Sequence, residues 1–164
     1  MIKCFVFAFI SQFGEKAFSQ NYKNCKFYKM NIVLIGAGTQ LSYSLDIIEK
    51  QKLHNIVGII DSLKEIGHEI YGYKIIGRQS ELSSLIVKHQ IEGAVITIGD
   101  NWTRKYIYEE ILNSEINLKW PNIIHPSVII SSRVKIGFGI IAMAGVIINA
   151  NSFLGNFTNY FTNS

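Results

Sequence analysis

Apolar positions along this chain follow two different periods, and the change comes near His125. From Ile124 onward every sixth position is occupied by Ile124, Ile130, Ile136, Ala142, Ile148, Leu154 and Tyr160. A second row, Val128, Val134, Ile140 and Val146, keeps the same beat and becomes small and polar at Ser152 and Thr158. Gly137 and Gly155 follow their aliphatic neighbours three hexads apart. An ordinary strand has period two and holds no six-residue phase. A parallel β-helix of hexapeptides does, because each short strand points one aliphatic side chain into a narrow core. The spacing predicts an incomplete left-handed parallel β-helix over residues 124–164.

Ahead of it the pattern is that of alternating strands and helices. Asn31 to Ile35 is an apolar run ended by Gly36-Ala37-Gly38, and a helix is expected from Gln40 to Lys52 with Leu41, Leu45 and Ile48 on one face. A second buried strand, Asn55 to Ile60, closes at Asp61, and Tyr73 to Gly77 reads as a short strand. A helix over 79–90 sets Leu82, Leu85, Ile86 and His89 at helical spacing, and Gly93 to Gly99 reads as a third long strand. Asp100 or Asn101 caps a further helix carrying Ile107, Tyr108, Ile111 and Leu112 on one side. Strands alternating with helices of this length predict a parallel sheet covered on its faces, a small Rossmann-like domain over 30–123. His125-Pro126 marks its junction with the hexads.

Charge changes the picture little. The formal net charge is +4, and Lys3, Lys16, Lys23, Lys26 and Lys29 against Glu15 account for all of it. The balanced remainder gives no basic groove for nucleic acid. Cys4 and Cys25 also fall in this first stretch, so the body has no disulfide framework, which points to a cytoplasmic protein. Residues 1–29 read as a leader or as an extension upstream of a start at Met30; the apolar run from Cys4 to Ile10 is too short for a bilayer.

Two strand-to-helix turns carry the candidate chemistry. At Gly36-Ala37-Gly38-Thr39 the free N–H groups and the helix dipole favour a phosphate, and Asp61 closes strand two where a ribose hydroxyl is gripped. Leu41 occupies the third glycine position of a dinucleotide fingerprint, which favours a nucleotide-linked ligand over NAD. Gly99-Asp100-Asn101 lies at the C-terminal end of strand three, where open sheets place ligands; Asp100 or Asn101 can equally be a simple cap. His54, His68, His89 and His125 show no metal-ligand spacing, and His125 reads as a structural hydrogen-bonding residue at the junction.

These residues together resemble the bacterial sugar O- and N-acetyltransferases, which include sialic-acid O-acetyltransferases and UDP-4-amino-sugar N-acetyltransferases of the bacillosamine type. The resemblance rests on Ile32 to Gly38, Asp46, Val57 to Asp61, Ile98-Gly99-Asp100-Asn101 with Arg104, and Ile124 to Ile129. It implies a UDP-sugar or related acceptor held by Gly36, Ala37, Gly38, Thr39, Asp61, Gly99, Asp100 and Asn101. It further implies acetyl-CoA between the β-helices of a homotrimer, and a histidine base. Thr39 and Gln40 replace the family's usual glycine and histidine, which bears on acceptor identity. Phe161-Thr162-Asn163-Ser164 is similar to a stretch that precedes the catalytic histidine, so the base is expected beyond Ser164, and no residue of this chain matches it. The expectation is a chain that binds ligand without transferring acetyl groups or binding acetyl-CoA by itself. The alternative is a non-catalytic nucleotide-sugar-binding module or gene remnant.

Overall fold

The computed structural model describes residues 29–162. Residues 1–28, with the expected leader, Cys4 and Cys25, and residues 163–164 lie outside the described residues.

Strand β1 (Met30–Ile35) is apolar throughout its second half because both of its faces are covered. Ile32 and Leu34 pack with Leu41, Leu45 and Ile48 of helix α1 (Thr39–Gln51). Val33 and Ile35 pack with Leu82 and Leu85 of α2 (Leu82–His89) and Ile107 and Ile111 of α3 (Asn101–Asn113). A strand buried on two sides loses the polar alternation of a one-sided strand. Burying one such side chain stabilises the fold by roughly 1.5–3 kcal/mol before chain entropy is set against it.

The remaining strands are β2 (His54–Ile60), β3 (Glu69–Ile70), β4 (Tyr73–Gly77) and β5 (Gly93–Ile96). Their order is β3-β4-β2-β1-β5, parallel except for the β3–β4 edge hairpin. The chain builds from β1 outward to β4, then returns to lay β5 on the other side of β1. That reversal puts the switch point of the sheet at the C-terminal ends of β1 and β5, where open sheets leave a ligand crevice.

Three local expectations need correction. The strand expected to reach Gly99 ends at Ile96, because β1 turns away at Gly36 and leaves Ile98 and Gly99 no strand to pair with. The helix expected from Gln79 begins as a 3-10 turn, Gln79–Glu81, where the Glu81 carboxylate accepts the Arg78 N–H at 2.8 Å. Leu112 is 58% exposed while Ile107 and Ile111 are buried, since a residue one step past Ile111 has rotated off the sheet-facing stripe.

The hexads form two-residue strands: β6 (Ile123–Ile124), β7 (Ile129–Ile130), β8 (Lys135–Ile136), β9 (Ile141–Ala142), β10 (Ile147–Ile148), β11 (Phe153–Leu154) and β12 (Asn159–Tyr160). They stack in parallel as β6-β9-β12, β7-β10 and β8-β11, the three sides of a parallel β-helix. The six-residue beat recurs in the backbone, with left-handed corners at Arg133, Gly139, Gly145, Asn151 and Phe157. Ile140, Val146, Ile148 and Leu154 fill the coil interior, with Val128, Ile130, Val134 and Tyr160 against them. Ile136 is 41% exposed, although the pattern placed it inside, because it lies in the first coil and β8 is paired on one side alone.

The β-helix is clamped to the sheet domain from two sides. Ile123 and Ile141 are buried in the core beneath α1, and Gln51 Nε2 donates to the Ile124 carbonyl at 2.8 Å. On the other side Phe157 meets Tyr108, Trp120 and Phe138 at centroid distances of 4.5, 5.2 and 5.3 Å. Phe157 holds a φ of +55°, a conformation bulky side chains rarely adopt, and its ring contacts offset that strain. No helix among the described residues is long and apolar enough to cross a membrane.

Candidate functional site

The turn after β1 is held from both neighbouring strands. Gly36 has a φ of +106°, and a Cβ there would lie 2.5 Å from Ile98 Cγ1, so the position requires glycine. Its N–H donates to the Ile60 carbonyl of β2 at 2.9 Å. From the β5 side, the buried Thr97 hydroxyl lies 2.5 Å from the Gly36 carbonyl and 3.1 Å from that of Ile35. From the β2 side, Asp61 Oδ2 accepts the Ala37 N–H at 2.7 Å, and Oδ1 accepts those of Leu63 and Lys64 at 2.8 and 2.9 Å. Burial pushes the Asp61 carboxyl up. The amides of Leu63, Ala37 and Lys64, with the Lys64 charge, outweigh that effect and hold it below the usual carboxylate range.

Gly38 differs from Gly36. A Cβ on it would meet no atom within 4 Å, and no side chain caps the start of α1 behind it. Thr39, the first residue of α1, is exposed. The first turn of a helix leaves N–H groups without intrahelical acceptors and carries a partial positive charge, a surface suited to an anion.

The second turn is built around Asp100 and Arg104. Asp100 caps α3, its Oδ2 accepting from both the Thr103 amide and hydroxyl at 2.7 Å, and these bonds hold its carboxyl below the usual range. Gly99, like Gly38, would place a Cβ in open space. Arg104 is 4% exposed. Its Nη1 donates to the carbonyls of Ile98 and Gly99 at 2.8 and 2.7 Å, its Nε to that of Phe157 at 3.2 Å, and its Nη2 to Asn101 Oδ1. Burial lowers the pKa of the guanidinium.

A crevice of about 630 Å³ opens at the C-terminal edge of the sheet. Gly36, Asp61, Ser62 and Leu63 form one wall, Arg78 and Ser80 a second, and Thr103, Tyr106 and Ile107 of α3 a third. Gln79 Nε2 donates to Glu110 Oε2 at 2.7 Å across one end, and Arg78 Nη1 donates to the Ser62 carbonyl. Of the residues singled out from sequence, Gly36 and Asp61 line this space. Ala37, Gly38, Thr39, Gly99, Asp100 and Asn101 do not; they frame the two turns from which α1 and α3 start. Sequence reasoning missed Arg78, Thr103 and Tyr106. Arg78 could have been found as the first residue after a parallel strand, and Thr103, Tyr106 and Ile107 as one stripe of a helix opening at the site.

His125 stands apart from the crevice, at the joint with the β-helix. Its Nδ1 accepts the Ser127 N–H at 3.1 Å and lies 2.7 Å from Ser127 Oγ, while Nε2 is buried 4.0 Å from Asp46 Oδ2. A smaller hollow of about 270 Å³ between α3 and the β-helix is lined by Tyr108, Leu112, Trp120 and Phe138 and lies away from the strand ends. Among the described residues no three His, Cys, Asp or Glu side chains gather as a metal-ligand set.

Residues 31–111 match the family described as the PglD N-terminal domain. Perosamine N-acetyltransferase from Caulobacter crescentus, in a variant solved with CoA and GDP-perosamine, has a TM-score of 0.72 at 26% identity over 80% of this chain and 60% of that one. A further structure of that enzyme with the same two ligands gives 0.70 at 26% identity, again over 80% and 60%. The acetyltransferase domain of PglB from Neisseria gonorrhoeae, solved with acetyl coenzyme A, shares the fold with a TM-score of 0.68 at 23% identity over 82% of this chain and 63% of that one. The chain therefore spans about 60% of the length of the structures it matches. No curated protein sequence gives a significant match. With a PglD-type domain leading directly into hexapeptide coils, the chain is similar in fold to these sugar N-acetyltransferases.

Proposed function

We propose that the C-terminal edge of the sheet binds a nucleotide-linked sugar, with a UDP-sugar as first candidate. In this reading the chain serves acetyl-CoA-dependent transfer of an acetyl group to an amine or hydroxyl of that sugar. The observation that carries the reading is a pair of glycines with no packing reason to be glycine. Gly38 and Gly99 each face open space, at the two turns that flank the switch point of the sheet. Glycine in such a place lets a ligand approach the backbone closely. That the Caulobacter enzyme was solved with GDP-perosamine supports the same ligand class.

Residues 30–123 then form the acceptor-binding domain and residues 124–164 the start of the coil domain. Gly38 and Thr39 offer backbone N–H groups to the diphosphate, while Gly36 and Ala37, whose N–H groups are held by Ile60 and Asp61, keep the turn in shape. Gly99, Asp100 and Asn101 border the ligand from the other strand, while Arg78 supplies a cation at the crevice wall. Acetyl-CoA, when bound, supplies the thioester. Ile129 and Ile147, stacked in register and 59% and 64% exposed, give the coils an apolar face that suits packing against further copies, as in a homotrimer. None of the described residues is assigned as the base.

The competing dinucleotide reading is disfavoured by Leu41, which is fully buried in the core where that fingerprint needs glycine. Thermal unfolding of the full chain with a UDP-sugar, a GDP-sugar or NAD at matched excess tests the proposal. A ligand at a hundred times its Kd adds about 2.7 kcal/mol to stability. A nucleotide-sugar should raise the midpoint and NAD should not; equal or greater protection by NAD removes the reading.

A further inference from the structure

Arg104 is buried and has no carboxylate ion-pair partner among the described residues. Four of its contacts are to oxygens inside the protein: the carbonyls of Ile98, Gly99 and Phe157, and Asn101 Oδ1. A guanidinium has five N–H donors and no acceptor, so this inventory leaves little for a ligand. Its charge sits beside the ligand turn, yet the group itself is sealed behind it.

The same inventory fixes a neighbour. Because the guanidinium only donates, the Asn101 amide must turn its oxygen toward Arg104, and its NH2 group away. Asn101 is exposed, and its Nδ2 has no hydrogen-bond partner among the described residues. It is the first residue of α3, two positions after Gly99, whose missing Cβ leaves open space beyond the end of β5. The Phe157 carbonyl comes from the second coil of the β-helix and braces the guanidinium from behind.

We propose that Arg104 is a positioning residue, which holds the Asn101 amide so that Nδ2 stands as a fixed donor at the switch point and takes an oxygen of the ligand's diphosphate. The inference rests on the nucleotide-sugar reading above and names the residue pair that serves it. Lysine cannot replace Arg104, because one ammonium cannot span carbonyls on two segments and an amide in a planar fork. The brace through Phe157 also ties the position of this donor to the docking of the β-helix.

Calorimetric titration of the full chain with UDP and with GDP tests the proposal on Asn101→Ala, Asn101→Asp, Arg104→Lys and the Arg104→Lys/Asn101→Ala double variant. Losing a hydrogen bond to a charged oxygen is worth about tenfold in Kd. Asn101→Ala and Arg104→Lys should each weaken binding by about tenfold, and the double variant by no more than either, because the two act through one bond. Losses that multiply to roughly a hundredfold, or an Arg104→Lys protein that binds like wild type, overturn the proposal. Asn101→Asp guards against an Arg104 variant that does not fold. Its carboxylate keeps the oxygen facing Arg104, so the unfolding midpoint should hold or rise while diphosphate binding falls at least tenfold. Unchanged binding by that variant also overturns the proposal. If wild type binds neither UDP nor GDP, the nucleotide-sugar reading fails first and takes this inference with it.

Discussion

Asp61→Asn separates the two properties of the Asp61 carboxylate, its shape and its charge. The carboxylate accepts three backbone N–H groups, two on Oδ1 and one on Oδ2. Asparagine can keep Oδ1 on Leu63 and Lys64, but its NH2 then faces the Ala37 N–H, donor against donor. One charge-assisted bond of 2.7 Å is lost and the glycine turn loses its tether to β2. A hydrogen bond to a charged group contributes about 1.5–3 kcal/mol. Asp61 is part-buried, so we expect the low end of that range, about 1.5 kcal/mol, after solvent screening. The assay is urea unfolding, in which Cm should fall with m unchanged. Its pH dependence gives the sharper test. The folded-state pKa of Asp61 is depressed, so its contribution is whole above the ordinary carboxylate value of about 3.9 and is lost as pH falls through the depressed value. Protonated Asp61 resembles asparagine in presenting a donor to Ala37. The gap between wild type and Asp61→Asn should therefore be full from pH 7 down to about 3.9 and close as pH falls through the depressed value. No gap at pH 7, or one that stays constant into acid, would refute the reasoning.

Further substitutions test the surrounding structure. Gly36→Ala should cost about 1–3 kcal/mol in urea unfolding, from its positive φ and the Ile98 contact, whereas Gly38→Ala should leave stability within about 0.5 kcal/mol of wild type and weaken nucleotide-sugar binding. Phe157→Ala should cost about 3 kcal/mol through its lost ring contacts, and Phe157→Gly should cost no more despite the smaller side chain, because its φ of +55° strains alanine and not glycine. Ile147→Lys should leave the unfolding midpoint of the isolated chain unchanged and lower its oligomeric mass in sedimentation, since Ile147 is 64% exposed.

The six-residue beat was legible because one inward side chain per hexad is a constraint that repeats along the sequence itself. The same holds for β1 and α1, where a continuous apolar run and the Leu41, Leu45, Ile48 stripe report burial directly. The glycine turn could also be read, because Gly36 must be glycine for reasons local to its strand and the next. The rest of the site was not legible, for a physical reason. Its walls come from Asp61, Arg78 and Thr103, which meet through the sheet order and share no local spacing. Asp61 read as a ligand contact from its place after β2, while its oxygens are committed to backbone amides two, three and twenty-four residues away. Arg104 could be noticed as part of a motif, but its tie to Phe157 spans fifty-three positions and belongs to the docking of the two domains. Phe157 stands at a corner whose equivalents are Arg133, Gly139, Gly145 and Asn151, and its ring contact with Trp120 shares no local spacing with that beat.

The most direct test of the central claim is amide chemical-shift mapping of the labelled full chain during titration with a UDP-sugar and, separately, a GDP-sugar. The account predicts that one of them moves the amides of Gly36 to Thr39, Arg78 and Gly99 to Thr103, at the strand ends where the crevice and the two glycine turns meet. Shifts confined to the hollow around Tyr108 and Trp120, or no shifts with either ligand at millimolar concentration, would contradict it.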